Sequence, residues 1–129
     1  MKFNFPDNFR FADSHEYAAV EGEKIKIGIS AFAVDQLGDI VFVDLPEVGS
    51  VVSKGSSFGS VESVKAVEDM YAPISGKVSE INESVLSNPE ELQNDPHETG
   101  WLLKIIPDDV NQINDLMDSS TYSSKVEGN

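Results

Sequence analysis

Apolar residues recur along this chain at the spacing of strands more often than at the spacing of helices. From Glu23 to Ile29 the segment EKIKIGI alternates apolar and polar positions, which predicts a half-buried strand. Ser30 then offers a helix cap. Ala31 to Leu37 has room for one or two helical turns before Gly38, a residue suited to the left-handed position just past a helix end. Beyond it the apolar runs shorten. Ile40 to Leu45, Ser50 to Ser53, Phe58 to Ser63, Tyr71 to Pro73, Lys77 to Asn82 and Trp101 to Ile106 are strand candidates, punctuated by Pro46, Gly49, Gly55, Gly59, Pro73 and Gly76. Many short strands at close spacing predict a mainly β sandwich or barrel.

Helices enter this reading only as short pieces. The run SNPEEL supplies a polar cap, a proline for the first turn and acids where the helix dipole favours them, so a second helix is expected to begin at Pro89. A third is expected after Asp108 or Asp109, with Val110, Ile113 and Met117 on one face. After Tyr122 the segment SSKVEGN carries too little apolar content to pack. The expected organisation is one domain over residues 1–122 and a flexible C-terminal tail over residues 123–129.

Composition narrows the function classes. The chain has 129 residues, 40% hydrophobic and 25% charged, which suits one soluble globular domain. No apolar run approaches the roughly 20 residues that span a bilayer, so no membrane insertion is expected. Met1 is followed by Lys-Phe-Asn-Phe-Pro without the pattern of a secretory or import leader, and the expected location is the cytoplasm. With no cysteine, disulfides, thiolate metal sites and thiol nucleophiles are excluded. The formal net charge of −14 disfavours nucleic acid and anionic lipid and favours partners with basic patches, although a merely solvated acidic surface would have the same composition.

Candidate chemistry concentrates in FGSVESVKAVEDMYAP, Phe58 to Pro73, where two strand-like runs flank Val64-Lys65-Ala66. A hairpin there puts Lys65 at its tip. Taken alone, such a lysine is more often a solubilising edge charge than a functional group. Ser14, His15 and Glu16 include nucleophile, base and acid types, but adjacency in sequence is not a triad, and no Gly-x-Ser-x-Gly turn accompanies them. No catalytic residue is assigned. Two histidines more than eighty residues apart and scattered carboxylates give no ligand spacing, so no metal site is assigned either. Gly55 to Gly59 lacks the Gly-Lys-Ser/Thr of a phosphate loop and reads as a turn between strands.

The segment VESVKA, followed by YAPISGKV, resembles the modification site of the glycine cleavage H-protein family. The resemblance extends along most of the chain. It takes in SHEY from Ser14 to Tyr17, GIS at Gly28, LGDIVFVDLPEVG from Leu37 to Gly49, KGSSFGSVESVKA, YAPISGKVSEIN and NDPHETGW. Biotin carriers typically set their lysine between methionines, and lipoyl domains of 2-oxo-acid dehydrogenases usually show Asp-Lys-Ala, whereas Val64-Lys65-Ala66 is similar to the H-protein pattern. One departure is His97, which stands where the family more often has tyrosine and reads as a surface-loop residue.

The resemblance implies a flattened β-barrel or sandwich of the lipoyl and biotinyl carrier type, a barrel-sandwich hybrid with short flanking helices. It implies a non-catalytic carrier with lipoic acid in amide linkage to Lys65. Ser14, Glu16 and Asp69 would line a cleft for the arm, and Glu62, Ser63, Val64 and Ala66 would form the surface that the modifying enzyme recognises. The implied partners are a pyridoxal-phosphate glycine decarboxylase (P protein), an aminomethyltransferase (T protein), a dihydrolipoamide dehydrogenase (L protein), and a lipoate ligase or lipoyl/octanoyl transferase. The carried group would be the aminomethyl unit of decarboxylated glycine. An alternative is a lipoyl relay that hands lipoate to 2-oxo-acid dehydrogenase domains. As isolated residues, Glu16 and Asp69 read equally well as two of many surface acids.

Overall fold

Short period-two segments are stable only in company, because each must bury one row of side chains and give its backbone N–H and C=O groups to neighbours. The computed structural model of the chain describes residues 3–127 and shows how they do so. The strands are β1 (Phe9–Phe11), β2 (Glu16–Glu21), β3 (Lys24–Ile29), β4 (Ile40–Asp44), β5 (Val51–Val52), β6 (Ser57–Ser63), β7 (Val67–Tyr71), β8 (Gly76–Ile81), β9 (Leu103–Pro107) and β10 (Met117–Asp118). They form a seven-stranded sheet in the order β10-β1-β2-β3-β9-β8-β5 and a three-stranded sheet in the order β4-β6-β7. All their pairings are antiparallel. Four short helices flank the sheets: α1 (Ala31–Leu37), α2 (Glu83–Ser87), α3 (Glu90–Asn94) and α4 (Ser119–Glu127). The expected mainly β architecture with short flanking helices is the one observed. Among the described residues no helix is long and apolar enough to cross a membrane.

The main core lies between the sheets. Ile25, Ile27 and Ile29 of β3, Val78 of β8, and Leu103 and Ile105 of β9 belong to one buried cluster with Val43, Val61 and Met70 of the smaller sheet. Burying such side chains contributes about 1.5–3 kcal/mol each, the main force holding the layers together. Helix α1 begins where Ser30 Oγ accepts the Ala33 N–H and ends at Gly38, as its sequence predicts. Gly38 has a φ of 78°, a backbone conformation that other residues rarely adopt.

A second cluster covers the opposite face of the larger sheet. Phe5, Phe9, Phe11 and Tyr17 pack there with Tyr122 and Val126 of α4. Phe11 and Tyr122 stack with centroids 4.3 Å apart. This layer overturns three expectations. Strand β3 is buried on both faces, not one. Lys26 lies over the Phe9 ring at 5.1 Å, donates to the His97 carbonyl at 3.0 Å and pairs with Glu21 at 3.5 Å, so its charge is satisfied beneath the aromatic cover. At Gly28 a Cβ would lie 2.5 Å from Tyr17 Oη, because the Tyr17 side chain passes over that strand to donate to the Pro96 carbonyl.

The expected flexible tail is helical as far as Glu127, because two apolar residues four apart, Tyr122 and Val126, face one pocket of the aromatic layer. Residues 128 and 129 of that tail lie outside the described residues. His97 is also not a surface residue. It is 8% exposed, packed edge-on to Phe9 and Tyr17, and its Nε2 accepts the Ala31 N–H at the start of α1.

Smaller differences follow local chemistry. The segment after Asp109 is a 3-10 helix, Val110–Asp115, and Met117 leaves it to pair with β1. The strand expected at Tyr71 to Pro73 ends at Tyr71 and starts at Val67. Pro89 opens α3 without a side-chain cap bond, and α2 precedes it.

Burial holds the His97 imidazole down at about 4, from an ordinary value of 6.5. As pH falls below 6.5 the unfolded chain therefore takes a proton that the folded chain refuses. Stability drops by at most about 1.4 kcal/mol per pH unit until the folded pKa is reached, where this contribution flattens. Urea denaturation at several pH values between 7 and 4.5 should show this slope in the wild type. His97→Gln, which can still accept the Ala31 N–H, should lack that part of it. A wild-type-minus-variant difference that is constant across the range would count against the assignment.

Candidate functional site

A hairpin with a two-residue corner usually needs glycine or asparagine at positive φ. The β6–β7 hairpin closes after the pair Glu62↔Val67 with neither. Among the described residues other than glycine, His15 alone has a positive φ, so Val64 and Lys65 turn in ordinary backbone regions. The buried Ser63 makes this feasible. Its N–H donates to the Ala66 carbonyl at 2.8 Å, and its hydroxyl oxygen accepts the N–H groups of Lys65 at 3.3 Å and Ala66 at 3.2 Å. The Val64 N–H donates to the Asp39 carbonyl at 3.0 Å and ties the tip to the chain leaving α1. Lys65 is exposed at the tip. Its Cε lies 3.9 Å from where a Cβ on Gly38 would stand, so the side chain runs over the C-terminal end of α1.

The same helix forms one wall of a cleft of about 390 Å³ that β6 and β7 close on another side. Its apolar walls come from Ile29, from Phe32, Ala33 and Leu37 of α1, and from Val61 and Met70. Its polar lining comes from Ser14, His15 and Glu16 on one side and Glu68 and Asp69 on the other. Glu16 is 2% exposed. One of its carboxylate oxygens accepts the Ser14 hydroxyl, and the other accepts the Tyr71 N–H at 2.9 Å. Burial raises the Glu16 carboxyl above the usual range, and those two hydrogen bonds oppose the rise. Asp69 has the opposite parity on β7 to Met70, so its side chain belongs to the outward face and it meets the cleft only at the rim, where it is exposed.

From His15 in the cleft lining a partly buried hydrogen-bond chain runs back to α1. His15, held at φ 82°, places Nδ1 2.7 Å from Tyr122 Oη, which is in turn 2.7 Å from Ser30 Oγ, the cap of α1. The Ser30 N–H donates to the His15 carbonyl at 2.9 Å. Burial pushes the Tyr122 hydroxyl up to about 12 and lowers the His15 imidazole. Helix α4 thus fixes both the turn that bears Ser14 and leads into β2 at Glu16, and the start of α1.

The family model described as "Glycine cleavage H-protein" matches residues 9–129 of this sequence. The chain belongs to the glycine cleavage H-protein family. Within that family it is 68% identical over 126 residues to a glycine cleavage system H protein of Prochlorococcus marinus (strain MIT 9303), an alignment covering 98% of each chain. To one of Synechococcus sp. (strain CC9311) it is 70% identical over 126 residues, again covering 98% of each. The crystal structure of a glycine cleavage system H protein from Mycobacterium marinum superimposes with a TM-score of 0.87 at 36% identity, over 97% of this chain and all of that one. Family membership assigns the chain to the glycine cleavage system, and the fold is the barrel-sandwich type of that family.

Among the residues singled out from sequence, the fold brings Ser14, Glu16 and Asp69 to one cleft. Glu62, Val64 and Ala66 are exposed around Lys65, while Ser63 is buried beneath the turn. Sequence reasoning missed Glu68, although it has the parity of Met70 on β7 and so shares the cleft-facing side. The Tyr71 N–H had no legible signal, because a main-chain donor is defined only once β7 has a place in its sheet.

The buried carboxylate opposes stability. Glu16→Gln keeps an acceptor for the Tyr71 N–H and removes the desolvated charge, and should stabilise the fold at pH 7 by on the order of 1 kcal/mol. Because the folded carboxyl titrates above its ordinary value, that gain is largest at neutral pH. It shrinks as pH falls through the raised folded pKa and is gone below 4.5. Thermal melts of the two proteins at pH 7 and pH 4 measure both effects, and a destabilised variant at pH 7 would contradict them.

Proposed function

We propose that Lys65 carries lipoic acid in amide linkage and that the chain is the non-catalytic lipoyl carrier of the glycine cleavage system, working in the cytoplasm and passing an aminomethyl group from the P protein to the T protein. One observation carries this reading: an exposed lysine on a braced tip reaches over the end of α1, and the same helix walls a cleft that combines apolar sides with a buried carboxylate. When attached, the lipoyl dithiolane supplies the sulfurs on which the one-carbon unit travels, and the L protein restores its disulfide.

The chain's own residues do the remaining work. Lys65 Nζ provides the attachment point and gives up its charge in the amide. The Ser63-braced tip holds that point still, so that recognition falls on a fixed surface. Exposed Glu62, Val64 and Ala66 would be read by the lipoate ligase or lipoyl/octanoyl transferase, with Ser63 acting only through the shape of the tip. Ile29, Phe32, Leu37 and Met70 exclude water from the cleft. There Glu16 would accept a charge-assisted hydrogen bond from the ammonium of the cargo, held in position by the Ser14 hydroxyl, with Asp69 adding negative charge at the rim. The buried carboxylate favours this shuttle over a lipoyl relay to 2-oxo-acid dehydrogenase domains, since a relay has no cationic cargo to hold.

The attachment is tested by intact mass and peptide mapping of the chain after incubation with lipoate, ATP and a lipoate ligase, beside Lys65→Arg. A single lipoyl adduct on Lys65, absent from the variant, is expected. No adduct, or one that persists in Lys65→Arg, would overturn the reading. In the loaded protein, Glu16→Gln should shorten the hydrolytic lifetime of the aminomethyl group about tenfold, the loss of one charge-assisted bond. An unchanged lifetime would remove Glu16 from the cleft's role.

A further inference from the structure

The outward face of the small sheet has a composition that the fold does not need. Residues directly opposed on neighbouring strands share a face. The registers Phe42↔Glu62 and Glu62↔Val67 therefore set Phe42, Glu62 and Val67 in one row across β4, β6 and β7. The adjacent pair Val43↔Val61 points inward and is buried, as a core pair should be. Phe42 is 54% exposed, Val67 64%, and Val64, next to Lys65 at the tip, 69%. The next outward row is Asp44, Ser60 and Asp69. Three large apolar side chains around the tip lysine, with one acid among them and two beside them, are not a solubilising surface. A small apolar centre with a charged surround is the composition of a docking site.

Resting on the reading of Lys65 as the attachment site, we infer that this face, Phe42 and Val67 with Val64 and Glu62, docks the enzyme that acylates Lys65, and that the enzyme meets it with an apolar contact ringed by basic side chains. Access decides which partner. An enzyme that forms a bond to Nζ must bring its reacting carbon to within attack distance of an atom one lysine side chain from the tip, so its surface has to lie on the tip and the strands beside it. Enzymes that act on the far end of an attached arm have no such requirement. Charge decides the chemistry of the rim. Glu62, Asp44 and Asp69, on a chain of net charge −14, steer a basic surface toward the tip. In the reaction served, Nζ attacks the carbonyl carbon of a lipoyl adenylate formed from lipoate and ATP. The C–N bond forms, the C–O bond to the phosphate breaks, AMP leaves and the displaced proton passes to water.

The test is the initial rate of adduct formation, read by intact mass, with a lipoate ligase, lipoate and ATP at varied concentrations of the chain. Phe42→Ser and Val67→Ser should each raise KM about tenfold with kcat little changed, while thermal melts confirm that both variants are folded. The wild-type KM should rise with added salt. Val51→Ser, at a residue 75% exposed on the edge strand β5 of the larger sheet, should keep the wild-type KM. Wild-type KM values in both Phe42→Ser and Val67→Ser, or an equal loss in Val51→Ser, would overturn the inference. So would a salt-independent KM, which removes the basic rim. Normal modification with impaired glycine-dependent turnover would assign the face to a downstream enzyme and equally overturn it. Failure of the wild-type chain to take any adduct would instead sink the attachment reading itself.

Discussion

The structure depends on a carboxylate kept out of water. Glu16 belongs by its backbone to the seven-stranded sheet, yet its side chain accepts the Tyr71 N–H of the three-stranded sheet. Apolar contact between sheets is directionless and tolerates sliding, whereas this bond fixes one sheet against the other at a single point. Strand β7 is an edge strand and Tyr71 its last residue, so the Glu16 bond also gives an edge amide a partner. The two sheets part beside this bond, and the cleft occupies the gap. A tightly packed apolar pair would have been the more stable solution here. The fold keeps a desolvated charge, and the surrounding residues are arranged to hold it.

That support comes largely from the aromatic layer on the far side of the larger sheet. His15 adopts a left-handed backbone that a non-glycine residue takes up only when its surroundings insist. Here the insistence comes from Tyr122, whose hydroxyl lies between His15 and Ser30, and from the Ser30 N–H on the His15 carbonyl. Tyr122 is itself held by stacking on Phe11. His97 fixes the start of α1 from the same layer. The geometry of the cleft therefore rests in part on Tyr122, Phe11 and His97, none of which lines it.

Much of this could be read from the chain and some could not, for identifiable reasons. Segments whose determinants are local were legible: the Ser30 cap and Gly38 stop of α1, the strands around Ile40, Phe58 and Lys77, and the hairpin that exposes Lys65. The errors fell where a second layer changed the meaning of a pattern. EKIKIGI alternates like a half-buried strand, but polar positions can be covered when Lys26 finds the His97 carbonyl and Glu21 beneath a phenylalanine ring. Ser-rich SSKVEGN looked too polar to pack, yet one tyrosine and one valine at helical spacing were enough to dock most of it. For the site, residue types in SHEY and VESVKA were suggestive, but their convergence on one cleft depends on sheet pairings far apart in sequence.

The corner at Val64-Lys65 has a consequence beyond support. A corner built on left-handed residues would have reserved its two exposed positions for glycine or asparagine, and their identity would have been dictated by backbone geometry. By moving that demand onto the buried hydroxyl of Ser63, the turn leaves both outward positions conformationally unconstrained. A β-branched residue and a long cation can then occupy the tip together. What stands at this exposed tip is set by what approaches it from outside, and its sequence can change with those visitors without altering the fold.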